Sequence, residues 1–156
     1  MSKLTLRDLE VRGQRVLVRV DFNVPVEERD GKVVITDDTR IRESLPTINW
    51  LREHGAKTIL MAHFGRPKGK RVDKYTLRPV ADHLHTLINH PVIFSHDTIG
   101  EVPEKIVAHM NEGDVALLEN LRRVSVTVTA GQRERDRAGE WVDQMVEIAA
   151  KEPANE

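Results

Sequence analysis

The chain has 156 residues, with 24 Lys and Arg against 25 Asp and Glu, a formal net charge of −1 and no cysteine. Its length allows one domain of ordinary size. The near-neutral balance excludes a whole-surface polyanion binder, so any anion site must be local. Lacking a thiol, the chain can build no disulfide scaffold, thiolate metal site or cysteine nucleophile. No apolar run approaches the roughly 18–20 residues that cross a bilayer. The opening stretch MSKLTLRDLEVRGQRV has no apolar core of a signal peptide, so a soluble, cytoplasmic protein with no membrane partner is expected.

In chain order, Arg15 to Val20 (RVLVRV) reads as a strand behind Gly13. Residues 26–36 read as a polar hairpin with its turn at Asp30-Gly31. Thr39 is placed to cap a helix over about 40–53, with Ile41, Leu45, Ile48 and Leu51 on one stripe and Gly55 as its stop. Lys57 to Ala62 is a buried-type strand, followed by a polar loop with Gly65, Pro67 and Gly69. A helix over about 77–89 carries the stripe Val80, Leu84, Leu87 and Ile88. A strand at Val92 to Phe94, a helix over 101–111 ended by Gly113, and a strand at Asp114 to Leu118 complete the series.

Apolar strands alternating with helices predict an α/β fold, a Rossmann-like parallel sheet with helices on both faces and right-handed crossovers. The character changes at 123–156: VSVTVT alternates, RERDR is a charge run, and Trp141, Met145, Ile148 and Ala149 give a weak stripe, so a helix is expected over about 138–151.

Parallel sheets bind ligands beyond the carboxyl ends of their strands. The first strand delivers Asp21 and Asn23 there, the second His63 and Arg66, and the last Glu119, Asn120 and Arg122; Arg40 opens the helix between the first two. Taken singly, each has a plain reading: turn formers, a solvated first-turn arginine, a satisfied histidine. Taken jointly, arginines, a histidine and short polar groups suit a small, multiply charged anion bearing hydroxyls. From His63 to Arg78 there are six Lys or Arg and one Asp, a solvated loop or else a positive rim facing an anionic ligand or partner domain. With Tyr75 the only aromatic in that stretch after Phe64, a nucleic-acid stacking platform is not expected. GRPKGKR has three residues rather than four between its glycines and no Ser or Thr after Lys70, so it is no P-loop, and there is no GxGxxG. His83 and His85, two apart on a helix, cannot chelate one metal, and no metal site is assigned.

The segments VLVRVDFNVP, ITDDTRIRESLPTI, GAKTILMAHFGRPKG, LRPVADHL and GDVALLENLR resemble, in order and spacing, the N-terminal domain of phosphoglycerate kinases from about Lys3 to Arg122. The resemblance implies phosphoryl transfer between Mg-ATP and the carboxylate of 3-phosphoglycerate by a monomeric cytosolic glycolytic enzyme with two Rossmann-like domains that close on a hinge. It implies that Asp21 and Asn23, with Phe22 in the same segment, hold the hydroxyl and carboxylate side of the glycerate. Arg40 would stabilise the transferring group, as the catalytic residue. His63, Arg66 and Arg122 would grip the substrate phosphate, with Phe64 and Gly65 shaping the loop. After Arg122 the chain departs from the family's pattern, and neither its NDAFGxAHR segment nor its nucleotide-binding half follows. The resemblance therefore implies a substrate-binding domain over 1–122 and a divergent tail over 123–156. Such a chain would be a fragment, from a truncated gene, a frameshift or a deliberate cut, that binds no Mg-ATP and turns over nothing alone. A missing nucleotide domain would be its partner. A non-catalytic phosphate-metabolite binder and a degenerate remnant are the alternative readings.

Overall fold

The computed structural model describes residues 4–66 and 72–121, and the expected helix over about 138–151 lies outside them. Its parallel sheet contains β1 (Arg15–Arg19), β4 (Lys57–Met61), β5 (Val92–Ser95) and β6 (Val115–Leu118), in the spatial order β1-β4-β6-β5. A separate antiparallel hairpin, β2 (Val26–Arg29) and β3 (Lys32–Ile35), turns at Asp30 and Gly31, both at positive φ (52° and 73°), as the sequence led one to expect. Short 3-10 turns at Leu6–Asp8 and Asp73–Tyr75 carried no sequence signal.

Three helices connect the parallel strands: α1 (Thr39–Glu53), α2 (Arg78–Ile88) and α3 (Glu101–His109). The sheet alternation sorts their packing. Val16, Val18, Leu60, Val115 and Leu117 face one side and bury Ile41, Ile48 and Leu51 of α1 with Val80, Ala81, Leu84 and Ile88 of α2. Ile59, Ala116 and Leu118 face the other side and bury Val107 of α3 and Met110. Two helices on one face and the third on the opposite face is what right-handed crossovers produce when the chain reverses direction after β5. The α/β Rossmann-like expectation, with both faces covered, thus holds.

Two local details differ from the sequence reading. The position before α1 is Asp38, and Thr39 is its first helical residue; the Thr39 N–H and hydroxyl both donate to Asp37 Oδ1, at 2.9 and 2.6 Å. Asp38 does not cap with its side chain, because its carboxylate takes Arg42 Nε at 2.9 Å and His83 Nε2 at 2.8 Å instead. Helix α3 ends at His109 rather than 111, since Met110 is already extended. Helix α1 also runs through Pro46, which the stripe of apolar residues around it overrides. It ends as expected at Gly55, where Ala56 N–H donates to Leu51 O and Gly55 N–H to Arg52 O, the paired bonds of a Schellman motif.

Candidate functional site

The parallel strands share one direction, so their carboxyl ends and the start of α1 lie along one edge. There the chain leaving β1 makes a tight turn, with Asn23 N–H donating to Asp21 Oδ1 at 3.1 Å. Arg40, one residue into α1, reaches back across it. Its Nη1 lies 3.1 Å from Asp21 Oδ2 and donates to the Asn23 carbonyl at 3.0 Å. Both side chains of this pair are about half exposed, at 50% and 57%, so the pair contributes little to stability and remains open to a ligand. Among the described residues every such contact of Arg40 runs through one terminal nitrogen, whereas the guanidinium carries five donors in a fixed fork.

The end of β4 joins the same turn: Gly65 N–H donates to Asn23 Oδ1 at 3.0 Å. Thus Asp21, Asn23, Arg40 and the His63–Arg66 segment are brought together as the sequence led one to expect. His63 is half-buried and Arg66 exposed on that segment. Gly65 has φ +58°, and a Cβ placed there would lie 2.3 Å from the Tyr75 ring, so both backbone and space demand glycine. Phe22 is fully buried and Phe64 is 6% exposed, its ring edge-on to Tyr75 at 6.4 Å between centroids. Their side chains face the core, and the rim receives only their backbone. Arg122 and residues 67–71, with three of the six Lys and Arg of the basic stretch, lie outside the described residues.

Glu119 and Asn120 correct the sequence reading. They were expected to present themselves to a ligand, yet they are 2% and 0% exposed. Glu119 Oε1 accepts the N–H groups of Leu77 and Asn120 at 2.9 and 2.8 Å, and Oε2 accepts the Thr76 hydroxyl at 2.6 Å. Asn120 Oδ1 accepts Phe64 N–H at 3.1 Å, while Nδ2 donates to the carbonyls of Phe64 and Tyr75 at 2.5 and 3.0 Å. These residues brace the rim from beneath. A polar pair directly after a fully apolar strand was the available signal, because its buried groups must be satisfied by neighbouring backbone.

The remaining histidines of α2 serve structure: His83 pairs with Asp38, and His85 Nδ1 lies 3.0 Å from the His90 carbonyl. Among the described residues no group of three or more His, Asp and Glu side chains could hold a metal ion, and no helix is long and apolar enough to cross a membrane. Two hollows beside Trp50, lined by Leu6, Pro46 and Glu53 among others, include none of the rim residues.

The sequence model of the family described as "Phosphoglycerate kinase" matches residues 6–149, running past Arg122. The phosphoglycerate kinase of Salinibacter ruber is 50% identical over 139 residues, covering 88% of this chain and 34% of its own length. That of Aquifex aeolicus is 55% identical over 122 residues, covering 78% of this chain and 30% of its own. Among solved structures, phosphoglycerate kinase from Pyrococcus horikoshii superposes with a TM-score of 0.70 at 31% identity, over 91% of this chain and 34% of that one. The chain spans about a third of the length of the relatives it matches.

Proposed function

The chain belongs to the phosphoglycerate kinase family, and from that premise we propose that its rim is the 3-phosphoglycerate-binding half of the kinase site. The observation that carries the reading is the convergence of Arg40, Asp21, Asn23 and the Gly65 loop on one strand-end edge. In the complete reaction a carboxylate oxygen of the glycerate takes up the phosphoryl group supplied by Mg-ATP. This chain's residues bind and orient that acceptor.

Arg66 and His63 hold the substrate's own phosphate, and Arg122, at the start of the segment beyond β6, adds to that grip. Arginine forks match phosphate oxygens, and the Gly65 turn fixes where the loop aims them. Asn23 has its side-chain oxygen engaged by Gly65 N–H, so it meets the glycerate with its amide N–H groups. Asp21 accepts the substrate hydroxyl. Arg40, kept in place by Asp21 and the Asn23 carbonyl, directs its other donors to the carboxylate and to the charge that develops there during transfer.

The donor set does not fit a nucleotide-bound cation. The rim offers N–H groups, the Asp21 carboxylate is already paired with Arg40, and the sequence has no nucleotide-phosphate loop. The nucleotide therefore comes on a second domain that closes over this rim, excluding water that would hydrolyse an acyl phosphate. The positive charge of the stretch from His63 to Arg78 suits attraction to that domain, and a single copy of this chain is enough to form the acceptor site. A cytoplasmic enzyme of glycolysis is the reading that follows.

Amide NMR tests the assignment. Adding 3-phosphoglycerate to the full chain shifts the resonances of Asn23, Arg40 and His63–Arg66 in a saturable way, while Gly13, Gly55 and Gly113 at the amino ends of the strands stay still. Equal shifts with inorganic phosphate alone would favour a general phosphate binder, and shifts confined to other surfaces would overturn the reading.

A further inference from the structure

We propose that Asn120 is a positioning residue for the acceptor site: its buried carboxamide sets the conformation of the Phe64–Gly65 peptide, and through it the aim of Asn23 and Arg66. This rests on the acceptor-site reading and deepens it.

The carboxamide reads one residue's backbone on both sides, accepting Phe64 N–H at 3.1 Å and donating to Phe64 O, and it ties that loop to the Tyr75 carbonyl at 3.0 Å. The next N–H along, that of Gly65, goes to Asn23 Oδ1. Successive amides of one loop are thus held from beneath by β6 and from the side by β1. The Tyr75 ring occupies the space over Gly65 and is held in turn by the same carboxamide through its own backbone. Asn120 is itself fixed. Its N–H goes to Glu119 Oε1, its carbonyl and that of Glu119 both accept the Thr98 hydroxyl, and Leu121 N–H goes to the Ala62 carbonyl. Asn120 is fully buried, so it touches no ligand; it acts by holding the groups that do. Aspartate could accept from Phe64 N–H but not donate to the two carbonyls, which would release the loop while leaving the shape of the site nearly unchanged.

The test uses the full chain with Asn120→Asp, Asn120→Ser as a second variant that adds no buried charge, and Thr58→Val as a control. Thr58 is equally buried but lies within β4, and its hydroxyl has no partner among the described residues. Calorimetry reads the affinity for 3-phosphoglycerate, and hydrogen exchange reads the Phe64 and Gly65 amides. The proposal expects whichever Asn120 variant remains folded to bind roughly tenfold to a hundredfold more weakly, in line with the cost of a small misplacement of binding groups. It also expects faster exchange confined to Phe64 and Gly65, and unchanged affinity in Thr58→Val. Parent-like affinity and exchange in a folded Asn120 variant would overturn it, as would an equal loss of affinity in Thr58→Val. Should the parent itself bind no 3-phosphoglycerate, the acceptor-site reading falls, and exchange at Phe64 and Gly65 alone decides whether Asn120 sets the loop.

Discussion

Asn23 accepts the Gly65 amide proton through its side-chain oxygen at 3.0 Å, joining the segment after β1 to the segment after β4. One hydrogen bond thereby couples two stretches 42 residues apart in sequence, and the Asn23 carbonyl in turn accepts from Arg40 Nη1.

Gly65→Ala is expected to be costly for two separable reasons. The left-handed φ of +58° costs about 1–2 kcal/mol for an alanine, and the new methyl would sit 2.3 Å from the Tyr75 ring, adding about 1–3 kcal/mol of overpacking. Urea unfolding should show the sum. Adding Tyr75→Ala to Gly65→Ala should recover the overpacking part only, so the effects of the two substitutions will not add.

Thr58 offers a gain. It is fully buried on β4, between Val16 and Val115 in the ladder, and its hydroxyl finds no partner among the described residues. Thr58→Val keeps the shape and removes a desolvated polar group, so thermal unfolding should report a more stable protein by about 1 kcal/mol or more. Affinity for 3-phosphoglycerate should not move, because β4 meets the rim only at its far end.

Acid should weaken the start of α1. Asp37 has its carboxyl held below the ordinary aspartate value by the Thr39 hydroxyl and then the Thr39 N–H. Asp38 is lowered by Arg42 first and His83 second. A carboxyl with a depressed folded pKa binds protons more weakly in the folded state, so its stabilisation is present above the unfolded value near 3.8 and is lost as pH falls through the folded one. Asp37→Asn and Asp38→Asn should therefore be less stable than the parent near neutral pH and converge with it in strong acid. Urea midpoints across the pH range check this, and a gap that stays constant with pH would count against it.

The alternation of apolar strands with amphipathic helices made the fold legible, because burial on both faces of a parallel sheet leaves long apolar runs that nothing else explains. The convergence of Asp21, Asn23, Arg40 and the Gly65 loop on one edge was legible too, since strand ends and helix starts of a parallel sheet meet along one side. Glu119 and Asn120 were not. A polar residue just past a strand reads the same whether it meets a ligand or satisfies backbone beneath the rim, and only the three-dimensional neighbours of Phe64 and Leu77 decide. The start of α1 was hidden for a like reason. Asp37, Asp38 and Thr39 are all competent caps, and the choice fell to His83 and Arg42, tertiary and helical partners that compete for the Asp38 carboxylate.

Calorimetric titration of the full chain with 3-phosphoglycerate, repeated on Arg40→Ala and Arg66→Ala, tests the acceptor-site assignment most directly. The account predicts saturable binding with a Kd between about 1 µM and 1 mM, weakened at least about tenfold in each variant, with little change in unfolding midpoint because both side chains are solvent-facing. No binding by a protein shown to be folded, or the same affinity in parent and both variants, would contradict it.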